Sequence, residues 1–271
     1  MSYDASAQAL RCPFCGSEQL EEQKDAKVLA PQSVVPFVLN NQQAIATMRQ
    51  WLGAGFWRPG DLARAAAIEG MQAVYVPYWS FSAETHTFWV ADSSSVPVGA
   101  AGNWCPVSGH HDGNYSGVLV GASGALTAAE TFAICPFDLS QAVDPKQVDL
   151  DNAIFEQFRV QRKYARPLAQ QSFEQYEHEA CGRLVPGSCR NLKVNVRLEN
   201  LSGEPILLPV WIMAYRYRDQ VFRFLLNGQT GQATGTAPTD YGKVALVTAA
   251  VITGFIFFAL LLAVCSGIAG N

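Results

Sequence analysis

The sequence predicts an α+β protein with mixed or antiparallel sheets and packed helices, an N-terminal zinc-ribbon-like knuckle and one C-terminal transmembrane helix. Three observations predict this arrangement: a Cys-x-x-Cys turn near the start, helical periodicities that alternate with β-branched and aromatic runs, and an uncharged apolar run at the end of the chain. Only 15% of the 271 residues are charged, and the net charge is −4. A nucleic-acid-binding protein usually has a strongly basic domain, so this composition argues against that class.

The N-terminal segment, residues 1–32, is predicted to be a knuckle followed by a linker. Cys12 and Cys15 of CPFCG have the separation that lets two thiolates face one zinc ion. Because structural zinc has four ligands, this turn supplies half of a site. The sequence leaves three completions open: Cys181 with Cys189, Cys105 with His110 and His111, or the same turn of a second chain in a homodimer. A metal-free vestige and a labile dithiol are the remaining interpretations.

Residues 33–240 are predicted to form the folded α+β domain. It begins with a strand-like run, VVPFVL, and continues with a helix, QQAIATMRQWL, that Asn40 or Asn41 caps. Gly53 and Gly55 end this helix, and DLARAAAIEG is a second short helix. VYVPYWSFSAETHTFWV, residues 74–90, is rich in β-branched and aromatic residues and predicts a strand, a turn and a second strand.

The rest of this domain begins with a Gly- and Ser-rich stretch, residues 91–126, which predicts loops and short strands. A helix-rich stretch follows at about 151–181, and KVNVRLE, ILLPVWIMAYRYR and VFRFLLNGQTGQATG predict three strands. An apolar-Pro-x-Trp motif stands at 76–79 and again at 208–211, each time before an aromatic-rich segment. This echo predicts two related halves, 33–130 and 131–240, and chance similarity of common residue types is the alternative.

The C-terminal run, residues 244–270, contains no ionisable side chain except Cys265. As a helix it would extend about 40 Å, which exceeds the roughly 30 Å of bilayer hydrocarbon, so we expect it to contact membrane lipid. Residues 1–12 lack the basic and apolar pattern of a signal peptide, and Lys243 precedes the run whereas no Lys or Arg follows it. The protein is therefore expected to be tail-anchored and single-pass, in the inner (cytoplasmic) or an internal membrane, with its N-terminal domain in the reducing cytoplasm.

The segment FRVQRKYAR places four cations, Arg159, Arg162, Lys163 and Arg166, at the spacing of one helical face. One interpretation is contact with phosphate, in lipid headgroups or in nucleic acid. The other is a solvated face that pairs with acidic residues such as Glu156. Between the two phosphate sources we favour lipid, because the chain is membrane-tethered and acidic overall.

Nine aromatic residues exceed what a few short strands need. Most of them are expected in the core, and an exposed subset is expected to act as anchors at a membrane or partner surface, since Trp and Tyr dominate interface energetics. They are Trp51, Phe56, Trp57, Tyr75, Tyr78, Trp79, Trp89, Trp104 and Trp211.

Five segments together resemble an uncharacterised bacterial group of membrane-anchored zinc-ribbon proteins. They are VVPFVLNNQQA, the stretch from Trp51 to Trp57-Arg58-Pro59, GMQAVYVPYWSFSAETH, ILLPVWIMAYRY and FRFLLNGQTGQATG. Members also carry the labels primosomal-helicase-like and transcription-factor-IIB-type zinc-ribbon protein. The resemblance covers most of residues 10–238 and implies a zinc ribbon, a folded domain and membrane helices, with no activity. The chain lacks a Gly-Lys-Ser/Thr phosphate loop, and it also lacks the second CxxC pair that many members have near the first.

The sequence predicts no catalytic residue and no cofactor beyond half a zinc site. Ser108, His110 and Asp112 are close in sequence, whereas the members of a catalytic triad normally come from different segments. The leading hypothesis is a non-catalytic accessory or scaffold subunit that binds a protein partner at or in a membrane complex. The alternatives are a membrane-tethered zinc-ribbon nucleic-acid-binding protein and a hydrolase or redox enzyme.

Overall fold

The computed structural model describes residues 29–65, 71–150 and 152–269. These residues confirm an α+β protein with a large, mostly antiparallel sheet, and the predicted CPFCG knuckle lies outside them. In chain order the elements are β1 (Ser33–Val34), α1 (Asn41–Gly53), α2 (Leu62–Ala65), β2 (Gln72–Ser93), β3 (Cys105–Gly121), α3 (Ala128–Ala133), β4 (Ile154–Phe155), α4 (Arg162–Leu184), β5 (Cys189–Tyr217), β6 (Gln220–Asn227), β7 (Ala233–Gly235) and α5 (Tyr241–Ala269).

The sheet is built around two long antiparallel strands, β2 and β5. Its strand order is β3-β2-β5-β6-β7, with β1 added in parallel to β5 and β4 added in parallel to β2. β2 has 22 residues and β5 has 29, far more than the usual five or six. At about 3.3 Å per residue, β5 contains roughly 95 Å of extended chain.

Three predictions about these strands are wrong. The predicted turn within 74–90 is absent, because β2 runs through it with register shifts between Phe81 and Ala83 against β3 and between Ser82 and Glu84 against β5. The stretch CPVSGHHDGNYSGVLVG, predicted as loops and short strands, is one continuous strand, β3. KVNVRLE and ILLPVWIMAYRY, predicted as two strands, both belong to β5. In each case polar residues that resembled a turn alternate along a strand with one solvent-exposed face.

The two predicted halves have the same order of elements: a short strand, a helical segment, a long strand and its antiparallel neighbour. The short strands pair at matching places, β1 with Ile206 of β5 and β4 with Val74 of β2. Val74 and Ile206 are as far apart in sequence as the two motif prolines, Pro77 and Pro209. The pairing of β1 with β5 and that of β4 with β2 are therefore related by the two-fold axis that a duplication would place between β2 and β5. The topology therefore supports the predicted duplication, which stays a prediction about origin.

The helices pack at matching positions on the two long strands. α1 begins as predicted, because the Asn40 side chain accepts from the Gln43 backbone N–H and the Gln43 side chain accepts from the Asn40 N–H. It buries Ala44, Met48 and Leu52 against Trp211, Met213 and Tyr215 of β5. α4 buries Ala165, Ala169 and Phe173 against Trp79, Phe81 and Ala83 of β2. The repeat of every fourth residue places one face of α4 on the sheet.

The sheet has two ends with different surroundings. At one end the β5–β6 hairpin, α1 and α2 lie close to the start of α5. At the other, β2, β3 and β5 continue as a three-stranded extension that α4 covers on one face only. We call this extension the arm, residues 83–93, 105–115 and 189–200. The fold thus separates the apolar C-terminal helix from a sheet surface that faces solvent.

Candidate functional site

The open face of the arm is the first candidate site. Along β2, residues at odd positions from Ala83 to Trp89 are buried under α4, whereas Glu84, His86, Phe88 and Val90 face solvent. Phe88 is 68% exposed and Val90 is 51% exposed. Their neighbours across the sheet are polar and exposed: His110 and Asn195 beside Phe88, and Ser108 and Lys193 beside Val90. Two adjacent apolar side chains with a polar rim are typical of a protein-binding surface.

Charged residues border this apolar pair. The His86 Nδ1 lies 2.8 Å from the Asp112 Oδ1, and its Nε2 lies 3.5 Å from the Glu199 Oε2. The hydrogen bond to Asp112, with smaller contributions from nearby carboxylates, raises the pKa of His86. The same bond lowers the pKa of Asp112. On acidification, the edge of this surface therefore gains positive charge on His86 at a higher pH than an unperturbed histidine would.

A buried carboxylate lies on the opposite face of the arm. Glu177 of α4 is fully buried, and its Oε1 accepts from the Thr85 hydroxyl at 2.6 Å and from the Tyr115 hydroxyl at 2.8 Å. Its Oε2 lies 2.9 Å from the His111 Nδ1. Burial alone would raise the pKa of Glu177, yet the hydrogen bonds from Thr85, Tyr115 and His111 together lower it below its ordinary value. Glu177 thus stays ionised and fastens α4 to the sheet.

The packing around this carboxylate leaves little space. A Cβ at Gly113 would lie 2.5 Å from the Glu177 Oε1 and 2.6 Å from the Thr85 Oγ1, so only glycine fits without displacement. The neighbouring Thr87 hydroxyl lowers the pKa of Glu177 slightly, but among the described residues it does not reach hydrogen-bond geometry with any group. His111, Tyr115 and Glu177 line neither of the two clefts described below. We therefore assign this cluster a structural role.

Two open clefts adjoin the sheet. One, of about 420 Å³, lies on the arm beside Val90, Pro106, Asn191 and Lys193. The larger, of about 520 Å³, lies between α3, α4 and β3. Its apolar lining includes Phe132, which is 80% exposed, together with Leu168 and Tyr176. Neither lining brings together the titratable residues that a catalytic site requires.

The NGQTG block, one of the segments that carry the family resemblance, has a structural role in the described part of the chain. The Asn227 side chain is buried and donates to the backbone oxygens of Ile134 and Pro136, at 2.9 Å each. The Gln229 side chain accepts from the Asp138 N–H and donates to the Asp138 oxygen. The turn therefore holds the segment after α3 against the sheet.

The predicted metal ligands do not converge in the described residues. Cys12 and Cys15 lie outside them. Cys181 is buried, and burial followed by the charge of Glu177 raises its pKa, which disfavours the thiolate that zinc needs. The completion with Cys105 is wrong, because His110 and His111 are adjacent in β3 and project from opposite faces. In the described ranges no group of three or more Cys, His, Asp or Glu residues is placed to hold a metal ion.

The structure places three of the four cations of the predicted basic face on α4, and the fourth before it. α4 begins at Arg162 with Gln161 as its N-cap, so Arg159 precedes the helix and the expectation of four cations on one helical face is wrong for it. Arg162, Lys163 and Arg166 are exposed on the first turns of α4. Their contact with lipid or phosphate stays a prediction.

The start of α5, residues 240–244, is attached to the folded domain. The Asp240 N–H donates to the Trp57 carbonyl at 2.7 Å, and the Lys243 ammonium donates to the Arg58 carbonyl at 2.7 Å. In α5, Tyr241–Ala259 has a mean hydropathy of 1.9, and none of this window is buried. The helix is therefore long and apolar enough to cross a membrane.

No direct signal in the sequence indicated the Glu177 cluster. Glu177 stands among other acids of α4, and its partners are far away in sequence, so it resembles a solvated helix position. The exposure of Phe88 could have been predicted from one feature of the sequence, the adjacent aromatic pair Phe88 and Trp89. In a strand, adjacent residues such as Phe88 and Trp89 must face opposite sides, and one aromatic of such a pair faces solvent when only one side is covered.

Comparisons with known proteins assign no activity. No protein-family model and no solved structure matches the chain. The chain is 26% identical over 228 residues to the uncharacterized protein YdjG of Bacillus subtilis (strain 168). The match covers 80% of the chain and 66% of YdjG, so the chain spans slightly less than two thirds of this relative. The zinc-ribbon resemblance therefore stays a prediction.

Proposed function

We propose that the protein is a non-catalytic, membrane-anchored accessory or scaffold subunit that presents the open face of its arm to a protein partner. The observation that carries the proposal is the adjacent pair Phe88 and Val90, exposed on a sheet face that no described element covers. Exposed apolar groups of this kind lower solubility unless a partner covers them. The polar and charged rim around them would supply specificity.

The membrane part of the proposal is a single span formed by α5, with the folded domain on the cytoplasmic side. Its support is the apolar exposed surface of the helix, including Phe255 and Phe257, at 71% and 65% exposed, and Lys243 at its start. Extraction of membranes at alkaline pH should leave the full-length protein in the pellet. Release into the supernatant would contradict the span.

The partner surface is tested by comparing matched surface variants of the full-length protein. Phe88→Ser together with Val90→Ser should abolish recovery of co-purifying proteins from detergent-solubilised membranes. Val98→Ser is the control, because Val98 is fully exposed in the β2–β3 connection. Equal recovery with all variants would contradict partner binding through the arm, and recovery of only a second copy of the chain would make the arm a homodimer interface.

Zinc binding at Cys12 and Cys15 and phosphate contact at the α4 cations also stay proposals. The nucleic-acid alternative predicts DNA binding that weakens steeply as salt rises. Nothing in the described residues favours it or an enzymatic activity over the scaffold function.

A further inference from the structure

We propose that the loop between α1 and α2, residues 54–61, is a second membrane contact that places Phe56 and Trp57 in the interfacial layer of the bilayer beside α5. The inference rests on the proposed membrane span and adds a part of the folded domain to the membrane-binding surface. The occupant of this surface is lipid. A domain held at two places has a fixed orientation to the membrane.

The loop is fastened to the start of α5 by its backbone. The carbonyls of Trp57 and Arg58 accept the bonds from Asp240 and Lys243. Within the loop, the Arg58 side chain donates to the Trp51 carbonyl, and its guanidinium lies 3.8 Å from the centre of the Trp51 ring. These contacts hold the loop on both sides, so its exposed side chains have a defined position.

The β5–β6 hairpin supports the loop from the other side. The Tyr217 hydroxyl donates to the Asp61 Oδ1 at 2.9 Å, and the exposed Arg218 lies 4.0 Å from the Asp61 carboxylate. Burial, the bond to Asp61 and the nearby charge of Asp240 raise the pKa of Tyr217, which agrees with one contiguous cluster at this end of the sheet.

The depth of the loop follows from the position of its contacts along α5. Asp240 to Val244 is four residues, or about 6 Å of helix axis. The headgroup and interfacial layer on each side of the hydrocarbon is about 5–8 Å thick. Because the apolar run begins at Val244, groups that touch Asp240 and Lys243 lie at the level of this layer.

The large exposed side chains of the loop are aromatic, as is typical of residues in the interfacial layer. Phe56 is 65% exposed and Trp57 is 47% exposed, and their rings contact each other edge to face at 5.0 Å. Tyr241, 80% exposed, begins α5 beside them. Trp and Tyr are enriched at the membrane–water interface, where an amphipathic ring finds both apolar and polar surroundings.

The native tryptophans allow a direct test. None of the six lies in α5, and Trp79, Trp89 and Trp211 are buried. Quenching of tryptophan fluorescence by brominated phosphatidylcholine therefore reports lipid contact of the folded domain. The full-length protein is reconstituted into phosphatidylcholine–phosphatidylglycerol vesicles with and without the brominated lipid. Trp57→Phe is compared with Trp104→Phe, a matched change at the far end of the arm.

The result expected is that Trp57→Phe removes about half or more of the lipid-dependent quenching, because it removes the tryptophan at the interface. Trp104→Phe should leave the quenching unchanged. Equal quenching in wild type and Trp57→Phe would overturn the loop inference when flotation shows that both proteins are bound to vesicles. Failure of the wild type to float with vesicles would instead overturn the proposed span, and the loop inference with it.

Discussion

Removing the Thr85 hydroxyl tests whether the Glu177 carboxylate holds α4 to the sheet. Thr85→Val keeps the side-chain volume and removes the 2.6 Å hydrogen bond to the Glu177 Oε1. Both groups are buried, so water cannot replace the lost donor. A hydrogen bond to a charged group contributes about 1.5–3 kcal/mol, and we expect the free energy of unfolding to fall by about this amount.

Thr87→Val is the matched control. Thr87 is buried on the same strand two residues further on, and its hydroxyl reaches no hydrogen-bond partner among the described residues. Removing an unpaired buried hydroxyl also removes its desolvation cost, so the free energy of unfolding should stay unchanged or rise by up to about 1–3 kcal/mol. Any gain in strand propensity is the same in both variants.

The measurement is thermal unfolding of the full-length protein in detergent, followed by tryptophan fluorescence. For a domain of this size, the expected loss in Thr85→Val corresponds to a fall in Tm of roughly 3–12 °C. Thr87→Val should melt at or above the wild-type temperature. Equal melting temperatures for the two variants would refute the inference that hydrogen bonds to Glu177 stabilise the packing of α4.

The same variant has a pH signature with a definite sign. The pKa of Glu177 is lowered in the folded state, so its stabilising contribution is present above the ordinary glutamate pKa and is lost as pH falls through the folded value. In Thr85→Val, burial is opposed by fewer hydrogen bonds and the pKa of Glu177 rises. The stability lost between the ordinary glutamate pKa and the folded value should then be smaller than in wild type, and this loss should be complete at a higher pH. An identical dependence of stability on pH in the two proteins would count against the argument.

Three further predictions concern packing, the NGQTG turn and the metal. Gly113→Ala should lower the free energy of unfolding by about 1–3 kcal/mol, because its Cβ overlaps the Glu177 cluster, whereas Gly53→Ala, with open space around it, should not lower it in the same melting assay. Asn227→Ala should cost about 2–4 kcal/mol, since it leaves the buried Ile134 carbonyl and the partly buried Pro136 carbonyl unpaired, and a melting temperature equal to wild type would contradict this role. Elemental analysis should find zinc in the wild type and none in Cys12→Ser, and no zinc in either would show that CPFCG binds none.

Local signals predicted the helices better than the long strands. The Asn40 cap is predictable because a capping box involves residues three apart. The continuity of β2 through SFSAETH was not predictable in the same way. Its polar residues match a turn as well as an exposed strand face, and the choice depends on β3 and β5, whose pairing residues are distant in sequence.

Because β2 and β5 are unusually long and pair with each other, they hold the two ends of the sheet at a fixed distance. The hairpin at Tyr217 contacts Asp61 beside the start of α5, and the same strand continues to Cys189 at the far end of the arm. A turn at the predicted place in β2 would have ended the sheet before Phe88. A continuous hydrogen-bonded sheet, unlike a flexible linker, holds its far end at a set distance from the near one. The exposed pair at Phe88 and Val90 therefore lies on the same continuous sheet whose other end, at Tyr217, contacts the loop that bonds the start of α5, which is the geometry that the proposed scaffold requires.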